Sequence, residues 1–303
     1  MTRSRLAIAA ITAAAITVWP DVRSSSAAQP ATTPLLVNSA WLAEHLNDPN
    51  LVLLQVGERA EYDSAHIAGA RYVSQRDVSV SSMDHEKGLM LEMPTAHSLR
   101  AMLQRLGISD NSRVVVYYGS DWVSPSTRIV FTLDYAGLGA QTSLLDGGMK
   151  AWIAAGHPVT NAASPAQGGR LSALKIKPIV VDATWVGSHL HSPGISIVDG
   201  RDASYYDGVE ATGPRRGHIP GAHSVPFTEI ADDNNVIRTP AELTALFTKA
   251  GVAPNDTVVG YCHIGQQATA MLFAARYIGH PVKLYDGSMQ EWSRRADLPI
   301  EVK

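Results

Sequence analysis

Hydrophobic positions in this chain fall into short apolar runs separated by stretches with helical spacing, and the alternation occurs in both halves. In the second half, Ser196-Ile197-Val198 and Thr257-Val258-Val259-Gly260-Tyr261 read as buried strands, with Val282-Lys283-Leu284-Tyr285 as the next. Between the first two, Thr239-Pro240-Ala241-Glu242 has the form of a capping box with proline at the first helical position. Leu243, Leu246 and Phe247 then share one face, and Gly251 closes the helix. A second helix is predicted from about Gln267 to Ile278, stopping at Gly279-His280-Pro281. Strand, helix, strand, helix in this order predicts an α/β fold, a parallel sheet with helices on both faces.

The two halves are copies of each other. Leu36-Val37-Asn38-Ser39-Ala40-Trp41-Leu42 matches Val180-Val181-Asp182-Ala183-Thr184-Trp185-Val186 at an offset of 144 residues. Ala65-His66-Ile67-Ala68-Gly69-Ala70 meets Gly217-His218-Ile219-Pro220-Gly221-Ala222 after an eight-residue insertion around Gly208–Arg216. Asp146-Gly147-Gly148-Met149 meets Asp286-Gly287-Ser288-Met289 at an offset of 140. Two tandem domains follow, residues 34–160 and 179–303, joined by a linker over 161–178 that is rich in Ala, Ser, Gly and Pro.

Composition narrows the function. Hydrophobic residues make up 45%, charged residues 17%, and the net charge of −3 comes without a long basic run, so no nucleic-acid partner is expected. The first five residues are basic, Leu6 to Trp19 is apolar, and Ser24 to Ala28 is small and polar. This is the layout of a secretory signal peptide over residues 1–28. Its 14 apolar residues fall short of the roughly 20 that cross a bilayer. The expectation is an exported, periplasmic protein with no stable membrane association after cleavage. One cysteine, Cys262, allows no internal disulfide.

Ligands of open parallel sheets bind beyond the carboxyl ends of the strands. Cys262 directly follows the strand ending at Tyr261, and Asp199-Gly200-Arg201 follows the one ending at Val198. A tight loop from His263 to Gln267 would turn backbone N–H groups toward a thiolate held at the lip of the sheet. The helix dipole supplies about 0.3–1 kcal/mol. That is less than one pKa unit, about 1.4 kcal/mol, so converging amides or a cation must supply the rest. The candidate site is therefore Cys262 as nucleophile, with Arg201, His263, Gly265, Gln266 and Gln267 around the substrate and Asp199 in support. A salt bridge to Asp202 or Glu210 competes for Arg201. His66 and His218 recur in both copies and read as structural. Arg215 and Arg216 would either add charge near the mouth or lie in a solvated loop. Trp122, in the longer loop of the first copy, reads as a wall of the interdomain cleft.

Cys262-His263-Ile264-Gly265-Gln266-Gln267-Ala268 resembles the active-site loop of rhodanese-family sulfurtransferases. Gly217–Ala222 and Asp286–Trp292 resemble that family's N-terminal and C-terminal signatures. The likeness covers about residues 34–302 and is to members with two tandem rhodanese-like domains, of which the first is inactive. Tyr118 stands where Cys262 stands, and Gln55 and Gly57 where Asp199 and Arg201 stand. The resemblance implies a sulfane sulfur carried as a Cys262 persulfide, from a small anionic donor, with thiosulfate favoured, to cyanide, a thiol or a protein cysteine. No metal or organic cofactor is implied. The loop lacks the cations that follow the cysteine in efficient thiosulfate enzymes. It also lacks the Cys-Gly-Ser/Ala-Gly pattern of 3-mercaptopyruvate sulfurtransferases. That activity and a carrier without turnover are the alternatives. Related phosphatases need an arginine at the position of Ala268.

Overall fold

A computed structural model describes residues 33–84, 88–120, 122–164 and 167–303. Residues 1–28, expected from the sequence to form a signal peptide, lie outside the described residues. The first domain contains β1 (Leu36–Val37), α1 (Ser39–His45), β2 (Leu51–Val56), α2 (Arg59–Ser64), β3 (Arg71–Val73), α3 (Ala96–Arg105), β4 (Arg113–Tyr118), α4 (Ser124–Tyr135), β5 (Thr142–Leu145) and α5 (Gly148–Ala154). The second repeats the order with β6 (Val180–Val181), α6 (Ala183–Ser188), β7 (Ile195–Asp199), α7 (Ala203–Tyr206), β8 (His223–Ser224), α8 (Pro240–Lys249), β9 (Thr257–Tyr261), α9 (Gln267–Tyr277), β10 (Val282–Tyr285) and α10 (Ser288–Trp292).

Each sheet has five strands, ordered β1-β5-β4-β2-β3 and β6-β10-β9-β7-β8, with every pairing parallel. The capping box is present: Thr239 accepts from the Glu242 amide, and the Glu242 carboxylate accepts from Thr239. Gly251 closes α8 with φ +93°, a left-handed conformation that suits glycine.

Strand parity decides which way the site faces. Side chains alternate across a sheet, so Val114, Val116 and Tyr118 enter one core while Val115 and Tyr117 enter another. In β9 the same alternation places Val258 and, one step past the strand, Cys262 in the first of these cores, which both domains share. Val259 and Tyr261 enter the outer core of the second domain. Cys262 therefore faces the first domain.

α4 and α9 lie between the sheets. Ten of the twelve residues of α4 are buried, and eight of the eleven of α9, so neither shows a narrow apolar stripe. Equivalent residues of the two helices touch: Thr127 Oγ1 and Thr269 Oγ1, 142 residues apart, are 3.1 Å from each other. Away from that contact part of the interface is reciprocal. The Met93 amide donates to Asp286 Oδ2 at 2.7 Å, and its counterpart, the Ile237 amide, donates to Asp146 Oδ1 at 2.9 Å. The two domains are thus related by a local pseudo-twofold axis. The linker follows the first domain closely: Ser172 binds Asp110 through its amide and hydroxyl, and Leu171 is buried.

Candidate active site

Five residues, Cys262 to Gln266, turn the chain from β9 into α9. Three of their carbonyls are held from outside. Met289 N–H donates to Cys262 O (3.0 Å), Gln290 N–H to His263 O (2.9 Å) and Arg128 Nη1 to Gly265 O (3.0 Å). In a planar trans peptide the N–H points opposite to the carbonyl it follows. The amides of His263, Ile264 and Gln266 are therefore turned to the other side. Among the described residues, the N–H groups of His263, Ile264, Gly265, Gln266 and Gln267 meet no protein acceptor. Gly265 makes the turn at φ +79°, and a Cβ there would lie 2.9–3.1 Å from Asp286 and the Arg128 guanidinium.

The Cys262 amide is fixed differently. It donates to Ser288 Oγ (3.1 Å), whose hydroxyl donates to Tyr285 O (2.9 Å). Ser288 has φ +50°, a conformation a side chain adopts only at a cost. Its counterpart Gly148 has φ +53°, and a Cβ there would meet the Tyr118 ring at 2.6 Å. Small Cys262 leaves room for the serine that anchors it, whereas large Tyr118 requires glycine.

Cys262 is fully buried, so the sulfur sits beneath the lip of the sheet rather than on it. It lines a cavity of about 360 Å³ at the domain boundary. Trp122 and Phe227, tilted against each other with centroids 5.8 Å apart, form one wall. Pro125 and Ile264 add apolar surface, and Ser124, Gln266 and Gln267 add polar groups. Trp122 thus stands where the longer loop of the first copy was expected to bring it. No Lys or Arg is among the described lining residues. Gln267 Oε1 is buried without a partner among the described residues. A second cavity of about 600 Å³ shares Pro125, Ile264 and Gln266 and runs to the ends of β2 and β3.

Arg201 is not spread over the substrate space. Its Nε and Nη2 clasp the Asp199 carboxylate at 2.6–3.1 Å, and Nη2 also donates to Gly217 O at 2.8 Å. The partner is Asp199, not Asp202 or Glu210, because the turn after β7 folds Arg201 back over the strand end. Burial opposes its charge, but the bonds and charge of Asp199 outweigh burial and raise its pKa, so Arg201 is a fixed cation behind Cys262. Its Nη1 makes no hydrogen bond among the described residues.

His263 Nδ1 lies 2.8 Å from Thr212 Oγ1, and its ring meets Tyr205 edge-on. Burial, and after it the Arg201 charge, holds its pKa below the ordinary value, so the ring is neutral near pH 7. The insertion of the second copy thus supplies Thr212 to the site. Its Arg215 does not add charge at the mouth: it donates to the carbonyls of Trp292, Ser293, Arg295 and Leu298 and ties down the end of α10. His66 and His218 stack on Tyr62 and Tyr206 and bond to the backbone carbonyls of those tyrosines.

A cysteine under unpaired amides at the carboxyl edge of a parallel sheet, in the second of two like domains, agrees with comparison to known proteins. The model of the rhodanese-like domain matches residues 38–155 and 182–295. The 3-mercaptopyruvate sulfurtransferase of Escherichia coli K12 is 31% identical over 283 residues, 89% of this chain and 98% of that protein. The chain belongs to the rhodanese family of sulfurtransferases. A thiosulfate sulfurtransferase of Pseudomonas aeruginosa is 28% identical, over 89% of this chain and 97% of that protein. The crystal structure of SseA from Escherichia coli, described as showing the rhodanese fold, superposes with a TM-score of 0.74 at 29% identity. That superposition covers 84% of this chain and 99% of SseA.

The first rhodanese domain differs from the second at the site in three ways. Tyr118 takes the cysteine position and donates to Asn235 O of the second domain at 2.5 Å. Burial pushes its pKa up, so it remains a neutral phenol. Two amides of the loop are also occupied: Gly119 donates to Val56 O, and Ser120 to the Glu61 carboxylate. Gln55, in the place of Asp199, accepts from the Tyr117 hydroxyl.

Residue-by-residue reading of the sequence missed Arg128, Ser288 and Phe227. Two signals were available. Arg128 is the one charged residue between Ser124 and Leu133, and Ser288 is where the two copies differ within a shared motif.

Proposed function

We propose that this protein moves a sulfane sulfur from an anionic donor, thiosulfate foremost, to a thiophilic acceptor through a persulfide on Cys262. The observation that carries this reading is the row of unpaired amides from His263 to Gln267 around a lone buried cysteine. The Cys262 thiolate attacks the outer sulfur of thiosulfate. A new S–S bond forms, the bond to the sulfonate sulfur breaks, and sulfite leaves with the electron pair. Cyanide, a thiol or a protein cysteine then attacks the outer sulfur of the persulfide, and Cys262 departs as thiolate. Oxidation states balance within the two transfers, and no cofactor enters. The amides hold the negative charge in both states. Arg201 supports the loop electrostatically from behind, with Asp199 orienting it, while Gln266 and Gln267 face the donor.

A second reading has 3-mercaptopyruvate as donor. The Escherichia coli relative favours it, and the loop sequence, without Cys-Gly-Ser/Ala-Gly, speaks against it. Turnover decides between the two. Thiocyanate formation from thiosulfate and cyanide, faster than pyruvate release from 3-mercaptopyruvate and lost in Cys262→Ser, supports the first reading. The reverse order of rates supports the second. We also propose that the protein works after export, in the periplasm; cell fractionation that finds it with cytoplasmic markers would contradict this.

A further inference from the structure

We propose that Arg128, supplied by the inactive domain, is a positioning residue for the sulfur-carrying loop. It holds the Gly265 carbonyl and thereby aims the Gln266 amide at the transferred sulfur. The proposal rests on the sulfur-transfer reading above for its purpose, but not for its geometry.

Arg128 lies on α4 with 1% of its side chain exposed. Its Nη1 serves two acceptors, Gly265 O at 3.0 Å and Asp286 Oδ1 at 2.8 Å, and Nη2 donates to Leu91 O. Asp286 is fixed in turn by the Met93 amide at 2.7 Å. The loop is thus braced from the first domain, at the one peptide whose geometry needs a left-handed glycine. Once the Gly265 carbonyl is held outward, peptide planarity leaves the Gln266 N–H only the inward direction.

Domain adhesion alone does not account for the arrangement. Several other polar contacts across the interface follow the pseudo-twofold, Thr127 with Thr269 and Met93–Asp286 with Ile237–Asp146 among them, while the Tyr118–Asn235 bond departs from it. Arg128 breaks it. At the helix offset of 142 seen for the threonine pair, its counterpart is Ala270, so no arginine braces the dead Tyr118 loop. Nor is the pair tuned for stability. The Arg128 Nε is buried without a partner among the described residues, and buried ion pairs often match well-packed apolar groups at best. What Arg128 supplies and an apolar residue does not is a rigid fork with fixed directions.

Arg128→Lys keeps the charge and loses the fork. The double variant Arg128→Gln with Asp286→Asn leaves no unpaired buried charge, so at least one folded protein is available. Three measurements are made on each: melting temperature, the pH profile of Cys262 alkylation by iodoacetamide, and the rate of persulfide formation from thiosulfate. The expected result is a folded variant whose alkylation midpoint lies higher than wild type by about half a pH unit or more. Its persulfide formation is slower by about tenfold or more. A folded variant with the wild-type alkylation profile and rate overturns the proposal. If wild type takes no sulfur but the midpoint still moves, positioning stands and the sulfur-transfer reading falls.

Discussion

Ser288 and Cys262 form a matched pair, as Gly148 and Tyr118 do in the other copy. Holding a serine at φ +50° costs on the order of 1 kcal/mol. Its hydrogen bond to the Cys262 amide returns about as much. Ser288→Gly therefore leaves folding stability within about 1 kcal/mol of wild type, measurable by urea unfolding. The unanchored cysteine should lose turnover several-fold. His263 gives a second expectation. Its folded pKa lies below 6.5, so an NMR titration should place its midpoint under that of a free histidine. The unfolded chain then binds more protons at this residue than the native one. The His263 contribution to stability is complete above the ordinary histidine range and falls as pH drops through that range toward the lower folded value. At this scale the sequence showed which loops converge, because strand ends are readable from apolar runs. It did not show where side chains spend their hydrogen bonds. Arg201 turns back on Asp199 two residues away, and His263 pairs with an insertion that has no counterpart to compare.

Elements were the most legible level. The strands at Ile195–Asp199, Thr257–Tyr261 and Val282–Tyr285 and the helix at Gln267–Tyr277 coincide with the apolar runs and turn residues that announced them. Continuous burial on both faces makes such strands plain in sequence. The cap of α8 is an instance with a measurable size: Thr239→Ala should cost about 1 kcal/mol in chemical denaturation, with turnover unchanged because α8 lies away from the cavity. What the pattern could not give was the partner of each helix. α4 and α9 are buried nearly all round, so no stripe points to a neighbour. Their mutual contact, and with it the route by which Arg128 reaches Gly265, appears only in three dimensions.

As a whole, the molecule is two copies of one fold sharing a core, with the lone cysteine in one and an arginine of the other bonded to its loop. The shared core runs from Val114 and Leu144 through Phe131 to Met271 and Val258 without a break at the domain boundary. One cooperative calorimetric transition is therefore expected, and two well-separated ones would count against a shared core. The duplication was plain from the repeat, and the absence of a cysteine in the first copy from Tyr118. The contact of the Cys262 loop with the first copy was hidden, since it lies in a single arginine, the one charged residue between Ser124 and Leu133. The same asymmetry predicts that Tyr118→Cys will not create a second sulfur site, because the Val56 carbonyl and the Glu61 carboxylate already take the first two amides after it; thiosulfate should add no second sulfur to the intact mass of that variant. The most direct measurement is the intact mass of the wild-type protein after incubation with thiosulfate. A gain of one sulfur atom, removed by cyanide and absent from Cys262→Ser, is what a cysteine under open amides predicts. An unchanged mass with thiosulfate and with 3-mercaptopyruvate, or a gain that persists in Cys262→Ser, would contradict it.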